Sequence, residues 1–232
     1  MSGSMDSRNS LGSLKPHQRV VIEIVWGDGK HEVVSEVIAT RAEDNQALLR
    51  PVVYNGMEIK LAVNEFKDMI FNLYFHDEDG KRHVINHVDV VSQAYKGDLY
   101  YCVATKSFKG VARGAERRRH PRMRINIHGE VKKEKGDLVC PITILDVSNN
   151  GISFEVDGEI DLSTSDRIIC NWTDTIDDRE FVVKVPAVVR RIGDKAIKKV
   201  YGCEIHNQPR NLVMYVLVKR STQSDPVVIS HT

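Results

Sequence analysis

The residues with the most binding chemistry in this sequence are arginines. Six fall between Arg113 and Arg124, with one acidic residue, Glu116, among them. Over the whole 232 residues, 33 Lys and Arg face 32 Asp and Glu, for a net charge of +1. No global basic field exists to gather nucleic acid, so the charge in this segment is a local feature. A guanidinium presents paired N–H donors in one plane, which match a phosphate or the O6/N7 edge of guanine. Its face also stacks on a base. Alone, Glu116–Arg124 (ERRRHPRMR) is an anion trap, open to a small nucleotide, an RNA or an acidic protein.

A second segment supplies what arginine lacks. Asp146–Gly151 (DVSNNG) joins two apolar runs. Asp146 and Ser148 are two apart, so in extended chain they share a face. A carboxylate there can accept from the N1–H and N2–H₂ edge of guanine, and the serine hydroxyl can donate to a phosphate or to the turn backbone. Gly151 permits a positive φ or a close approach by ligand. Taken alone, this is also the chemistry of an ordinary Asx turn.

Strands must position these residues. Gln18–Trp26 and His31–Ala39 flank the turn Gly27-Asp28-Gly29 and predict a hairpin. Ala47–Val53, Glu58–Val63 after Asn55-Gly56, Phe71–His76, Arg82–Ser92 and Asp98–Lys106 continue the pattern. After the arginines come Arg124–Lys132, Leu138–Val147, Gly151–Val156, Arg167–Thr173, Glu180–Ile192 and Lys199–Ile205. Asp174–Glu180 is an acidic loop that reads as a solvated hairpin turn, with a partner surface as the alternative. Short strands at this spacing suggest small barrels or sandwiches. Asn207–Lys219 is the one helix candidate, with Leu212, Tyr215, Val216 and Lys219 at helical spacing and Pro209 suited to a first turn. The expected organisation is a polar lead-in over 1–15, an N-terminal β-domain over 16–106, a Gly- and Arg-containing linker over 107–115, a second β-domain over 116–220 and a polar tail over 221–232. The fold class is all-β: two small barrels and a C-terminal helix.

Together the two segments resemble a known family. Arg118-Arg119-His120-Pro121-Arg122 resembles the RxxxR motif of PilZ domains, and Asp146–Gly151 resembles their DxSxxG motif, 24 residues after Arg122. Tyr201-Gly202-Cys203-Glu204-Ile205 resembles their closing strand. The arrangement of a further β-domain ending just before RxxxR is similar to the flagellar-brake type. Pro121 departs from the pattern, since a bulky residue is more usual there; it removes a backbone donor and stiffens the motif.

The resemblance implies a receptor for cyclic di-GMP as regulatory ligand, with no cofactor. By it, Arg118 and Arg122 bind phosphate and guanine, Asp146 and Ser148 contact the guanine edge, and Gly151 leaves room. Arg117 holds the position that the family associates with an intercalated nucleotide dimer. Arg113 and Asn150 are additional candidates. The implied output is motility or exopolysaccharide and biofilm formation, through a protein target such as a flagellar motor component. The alternative is a module of the same fold with a protein or RNA partner and no nucleotide dependence. Because the arginines adjoin the linker, ligand binding is expected to order it and change the domain arrangement.

Other features are weaker. His83 and His87 lie four apart on a predicted strand, ~13 Å along the chain, so no metal is expected. Cys102, Cys140, Cys170 and Cys203 form no CxxC pair and read as packed, reduced thiols. No GxSxG, HExxH, P-loop or GxGxxG is present, and no nucleophile lies beside a base, so catalysis is not expected. Without a signal peptide or an apolar run of ~20 residues, the chain is expected in the bacterial cytoplasm, without membrane insertion or bound nucleic acid.

Overall fold

The structure, a computed structural model, describes residues 10–61, 66, 68–95, 98–105, 122–136, 138–156, 160–195 and 198–222. The chain divides into two compact units. One takes in Met1–Trp26, Lys30–Gly114 and Leu217–Thr232; the other takes in Gly27–Gly29 and Ala115–Val216.

The first unit is antiparallel sheet. Its strands are β1 (Arg19–Trp26), β2 (Gly29–Arg41), β3 (Gln46–Leu49), β4 (Val53–Tyr54), β5 (Met57–Glu58), β6 (Met69–His76), β7 (Arg82–Ile85), β8 (Asp89–Tyr95) and β9 (Asp98–Ala104). Seven of them hydrogen-bond in the order β7-β6-β1-β2-β3-β9-β8, and β4 and β5 form a separate pair. The alternation in β1 is strict: Val20, Ile22, Ile24 and Trp26 are buried and the residues between them are not. That period of two is what a half-buried strand requires. Asn55 and Gly56 both adopt positive φ, at 50° and 71°, which closes β4 onto β5 through a two-residue turn. The expected single strand Arg82–Ser92 is instead two, because His87 takes a left-handed φ of 54° between them. Its N–H is taken by the Asn72 Oδ1 at 3.0 Å.

Buried polar groups fasten this unit. The Tyr101 hydroxyl donates to the Ile59 carbonyl at 2.6 Å and accepts from the Val52 N–H at 3.0 Å. It thereby pins the segment that carries β4 and β5. Asp68 accepts both arms of Arg220, at 2.5 and 3.1 Å, and the Trp26 indole N–H at 2.8 Å. Side chains of Arg220 and Asp68 are only 8% and 4% exposed, so the charges stand out of water and need each other. The Arg220 guanidinium also lies about 6 Å from the rings of Trp26 and Phe66.

The second unit is a closed barrel. Its strands are β10 (Met123–Lys133), β11 (Val139–Val147), β12 (Gly151–Val156), β13 (Arg167–Ile176), β14 (Arg179–Lys195) and β15 (Lys198–Ile205), ringed in the order β10-β11-β12-β15-β14-β13. Closure comes from β13 pairing back onto β10. Among the described residues the ring closes in this unit, whereas the ladder of the first runs from β7 at one end to β8 at the other. The all-β class with a terminal helix is thus the observed one. The hairpin turn expected within Asp174–Glu180 is a two-residue turn, Asp177-Asp178, with φ of 47° and 60°. β13 and β14 absorb the rest.

The helix α1 spans Arg210–Thr222, three residues later than expected at each end. The Pro209 carbonyl accepts from the Leu212 and Val213 N–H groups, which starts it. Lys219 and Arg220 in its last turn complement the helix dipole. Leu212–Val218 are all buried. The helix is therefore apolar all round, where the sequence suggested one stripe. Among the described residues no helix is long and apolar enough to cross a membrane, and no group of three or more His, Cys, Asp and Glu is placed to hold a metal.

Candidate functional site

Register fixes what the barrel shows on its surface. Val147, Ile152, Cys203 and Val189 are successive partners across β11, β12, β15 and β14, and all four are buried. They form one layer of the interior. The neighbouring row faces the other way, because side chains alternate along a strand. It runs Arg124, Asp146, Ser153, Gly202, Arg191 across β10, β11, β12, β15 and β14. Acidic and small residues occupy the middle of this row, and arginines occupy its ends.

A depression of about 700 Å³ opens beside that row. Arg122, Ser148, Asn150 and Gly151 line it, four of the residues singled out by the sequence. Asp146 does not line it directly. It stands behind Arg122, its Oδ1 3.5 Å from the Arg122 Nη1, with its side chain 21% exposed against 45% for Arg122. The carboxylate thus aims the guanidinium and remains accessible to a donor edge. Arg113, Arg117 and Arg118 lie outside the described residues.

The turn after β11 has a definite construction. The Ser148 N–H donates to the Gly151 carbonyl at 2.8 Å, and its hydroxyl lies 3.3 Å from the same oxygen and 3.4 Å from the Asn150 Oδ1. So Ser148 lies beyond the end of the strand and spends its hydroxyl on the turn backbone. It does not continue the Asp146 face, as an extended chain would make it. The Asn150 carbonyl accepts from the Ile205 N–H at 2.9 Å, and the buried Gln208 side chain donates to the Asn149 carbonyl. These bonds tie the turn to β15 and the segment before α1. Gly151 is not in the left-handed region. A Cβ there would lie 3.2 Å from the Cys203 carbonyl oxygen, so the close approach of β15 favours glycine.

Sequence reasoning missed the far wall. Ser153, Arg190, Arg191, Gly202, Cys203 and Glu204 also line the depression. The available signal was Arg190-Arg191, two adjacent charges that break the in-out alternation of β14. The structure places a β-bulge there, between Val189 and Arg191. The Arg190 Nε lies 2.6 Å from the Glu204 Oε2, which also lies 3.5 Å from the His206 Nε2. Cys203 is no nucleophile, because burial pushes its thiol up to about 12. The site offers cationic forks, a carboxylate and backbone groups, the means to bind an anion with donor-bearing bases.

The second unit is a closed antiparallel barrel that carries an arginine–aspartate pair on its surface. Residues 116–217 match the model of the PilZ domain. No curated protein matches the sequence. Among solved structures it is similar to the inhibitor of motility (MotI/DgrA) of Bacillus subtilis, at 15% identity over 90% of this chain and 97% of that one, with a TM-score of 0.40. It is also similar to YcgR of Escherichia coli in complex with c-di-GMP, at 12% identity, 88% and 86% coverage and a TM-score of 0.34. PlzA of Borreliella burgdorferi in complex with c-di-GMP gives 11% identity, 88% and 88% coverage and a TM-score of 0.33.

Proposed function

We propose that this chain is a receptor for cyclic di-GMP that regulates motility or exopolysaccharide and biofilm output by acting on a protein target. The observation that carries the reading is the gathering of Arg122, Ser148, Asn150 and Gly151 around one depression, with Asp146 paired to Arg122. Those are the residues of a DxSxxG turn and the second arginine of RxxxR, on a PilZ domain. Arg122 supplies the fork for phosphate or guanine O6/N7. Asp146 accepts from the opposite guanine edge once a donor competes with its long contact to Arg122. Arg117 and Arg118 add the charge for a ligand with two phosphates, and Arg117 favours uptake of an intercalated dimer. Binding changes the domain arrangement through the 107–115 linker. No catalytic step and no cofactor is part of this reading.

Calorimetry with cyclic di-GMP on the wild type, Arg118→Ala and Asp146→Ala tests it. The expected result is micromolar or tighter binding that both variants lose. No heat with the wild type overturns the receptor reading. Strongly salt-dependent binding of RNA, indifferent to Asp146→Ala, would replace it with polyanion binding. Small-angle scattering with and without saturating nucleotide tests the rearrangement: an unchanged profile rejects it.

A further inference from the structure

Among the described residues three arginines line the depression, and their circumstances differ. Arg122 stands 3.5 Å from Asp146. Arg190 is drawn to Glu204 at 2.6 Å. Arg191 has no carboxylate within ion-pair distance among the described residues. The bulge explains how two consecutive side chains reach one surface: Val189 pairs with Cys203 and Arg191 with Gly202, which leaves Arg190 as the extra residue. Without the bulge, one of the pair would point into the barrel.

Arg191 lies against Gly202. The Arg191 Cβ, Nε and Nη2 are 3.6, 3.6 and 3.9 Å from the point that a Gly202 Cβ would fill. The arginine therefore lies across the bare backbone of β15, on the side of the row that leads over Gly202 to Ser153. From β10 to β14 that row crosses four strand spacings, ~19 Å. Arg122 lines the depression from the β10 side and Arg191 from β14.

We propose that Arg191 is a further nucleotide-binding residue of this site. Both arms of its guanidinium take a pair of acceptors on the ligand, guanine O6/N7 or phosphate oxygens, while Glu204 holds Arg190 out of the contact. This rests on the cyclic di-GMP reading above. An uncompensated arginine on a polar floor gains a partner when the ligand arrives, whereas Arg190 would have to give one up. The planar fork sets the geometry, so charge alone does not substitute for it.

The test is calorimetry with cyclic di-GMP on the intact chain as wild type, Arg191→Ala, Arg191→Lys and Arg190→Ala. Thermal unfolding of each variant serves as the check on folding. These side chains are exposed, so unfolding midpoints stay close to that of the wild type. The expected result is affinity weaker by about tenfold or more in Arg191→Ala, equal to the loss of one bidentate contact. Arg191→Lys fails to restore it, and Arg190→Ala costs less than Arg191→Ala, because Glu204 already holds Arg190. Wild-type binding with Arg191→Ala within twofold overturns this inference and leaves the receptor reading standing. Recovery in Arg191→Lys overturns the two-armed contact. A loss in Arg190→Ala as large as in Arg191→Ala overturns the role given to Glu204. Absence of binding by the wild type removes the receptor reading and this inference with it.

Discussion

The two units solve the same β-sheet problem differently. In the second, β13 returns to β10 and the ring has no edge. Every strand has two neighbours, so the backbone is satisfied by closure. The row from Arg124 to Arg191 then lies on its outer face. In the first unit the ladder ends at β7 and β8, and buried polar locks hold what the ladder does not. Asp68 with Arg220 and Trp26 is one lock, and Tyr101 with Val52 and Ile59 is another. The difference predicts that the first unit is vulnerable at polar atoms and the second at close backbone contacts.

The largest effect is expected at Asp68. Removing the carboxylate leaves the Arg220 guanidinium buried without its partner, a loss of about 3–5 kcal/mol. Denaturant unfolding of Asp68→Ala measures it. The double variant Asp68→Leu/Arg220→Met removes both charges and should recover most of that loss. A double variant as unstable as Asp68→Ala would show that packing, and not the stranded charge, sets the cost.

The corresponding weak point of the barrel is Gly129. It stands between Ile142 on β11 and Trp172 on β13, both buried. A Cβ there would lie 2.4 Å from the Asn171 carbonyl oxygen and 3.1 Å from the Trp172 Cβ. Backbone cannot give way as a flexible side chain can, so Gly129→Ala must displace β13. Overpacking of this kind costs about 1–3 kcal/mol. Hydrogen exchange should show the loss over β10 and β13. Unchanged protection there would mean that the ring yields freely and that closure does not make it stiff.

Much of this was legible from the chain and some was not, for physical reasons. Turns announce themselves locally: Asn55-Gly56 and Asp177-Asp178 both adopt the paired positive φ of two-residue hairpins. Alternation gave β1 because one face is buried and the other is not. α1 gave a false stripe, since a helix buried on every side has no polar face to mark it. At the site, Arg122, Ser148, Asn150 and Gly151 were legible through short motifs, because each motif is a single turn or strand end. Arg190 and Arg191 were not, since two adjacent charges in a strand read as solvated until register shows the bulge. The Asp68–Arg220 pair spans 152 positions and leaves no local trace.

The smallest effects come from a matched pair of hydroxyls, one in each unit. The Tyr101 hydroxyl serves two buried backbone groups, the Val52 N–H and the Ile59 carbonyl. The Tyr215 hydroxyl donates at 2.9 Å to one side chain, the Asp174 carboxylate. Burial pushes both phenols well above their ordinary pKa, so each is protonated and able to donate. In Tyr101→Phe the two backbone groups lose their partner where water cannot replace it, and an orphaned buried group costs about 1–3 kcal/mol. In Tyr215→Phe the half-exposed Asp174 can turn to solvent, so the loss falls to about 0.5–1.5 kcal/mol, the net value of an ordinary hydrogen bond. Parallel urea titrations of the two variants give the ratio directly. A loss in Tyr215→Phe equal to that in Tyr101→Phe would place a polar lock in the barrel as well and erase the contrast between closure and locking. A smaller one keeps the contrast and locates it in two buried groups, the Val52 N–H and the Ile59 carbonyl.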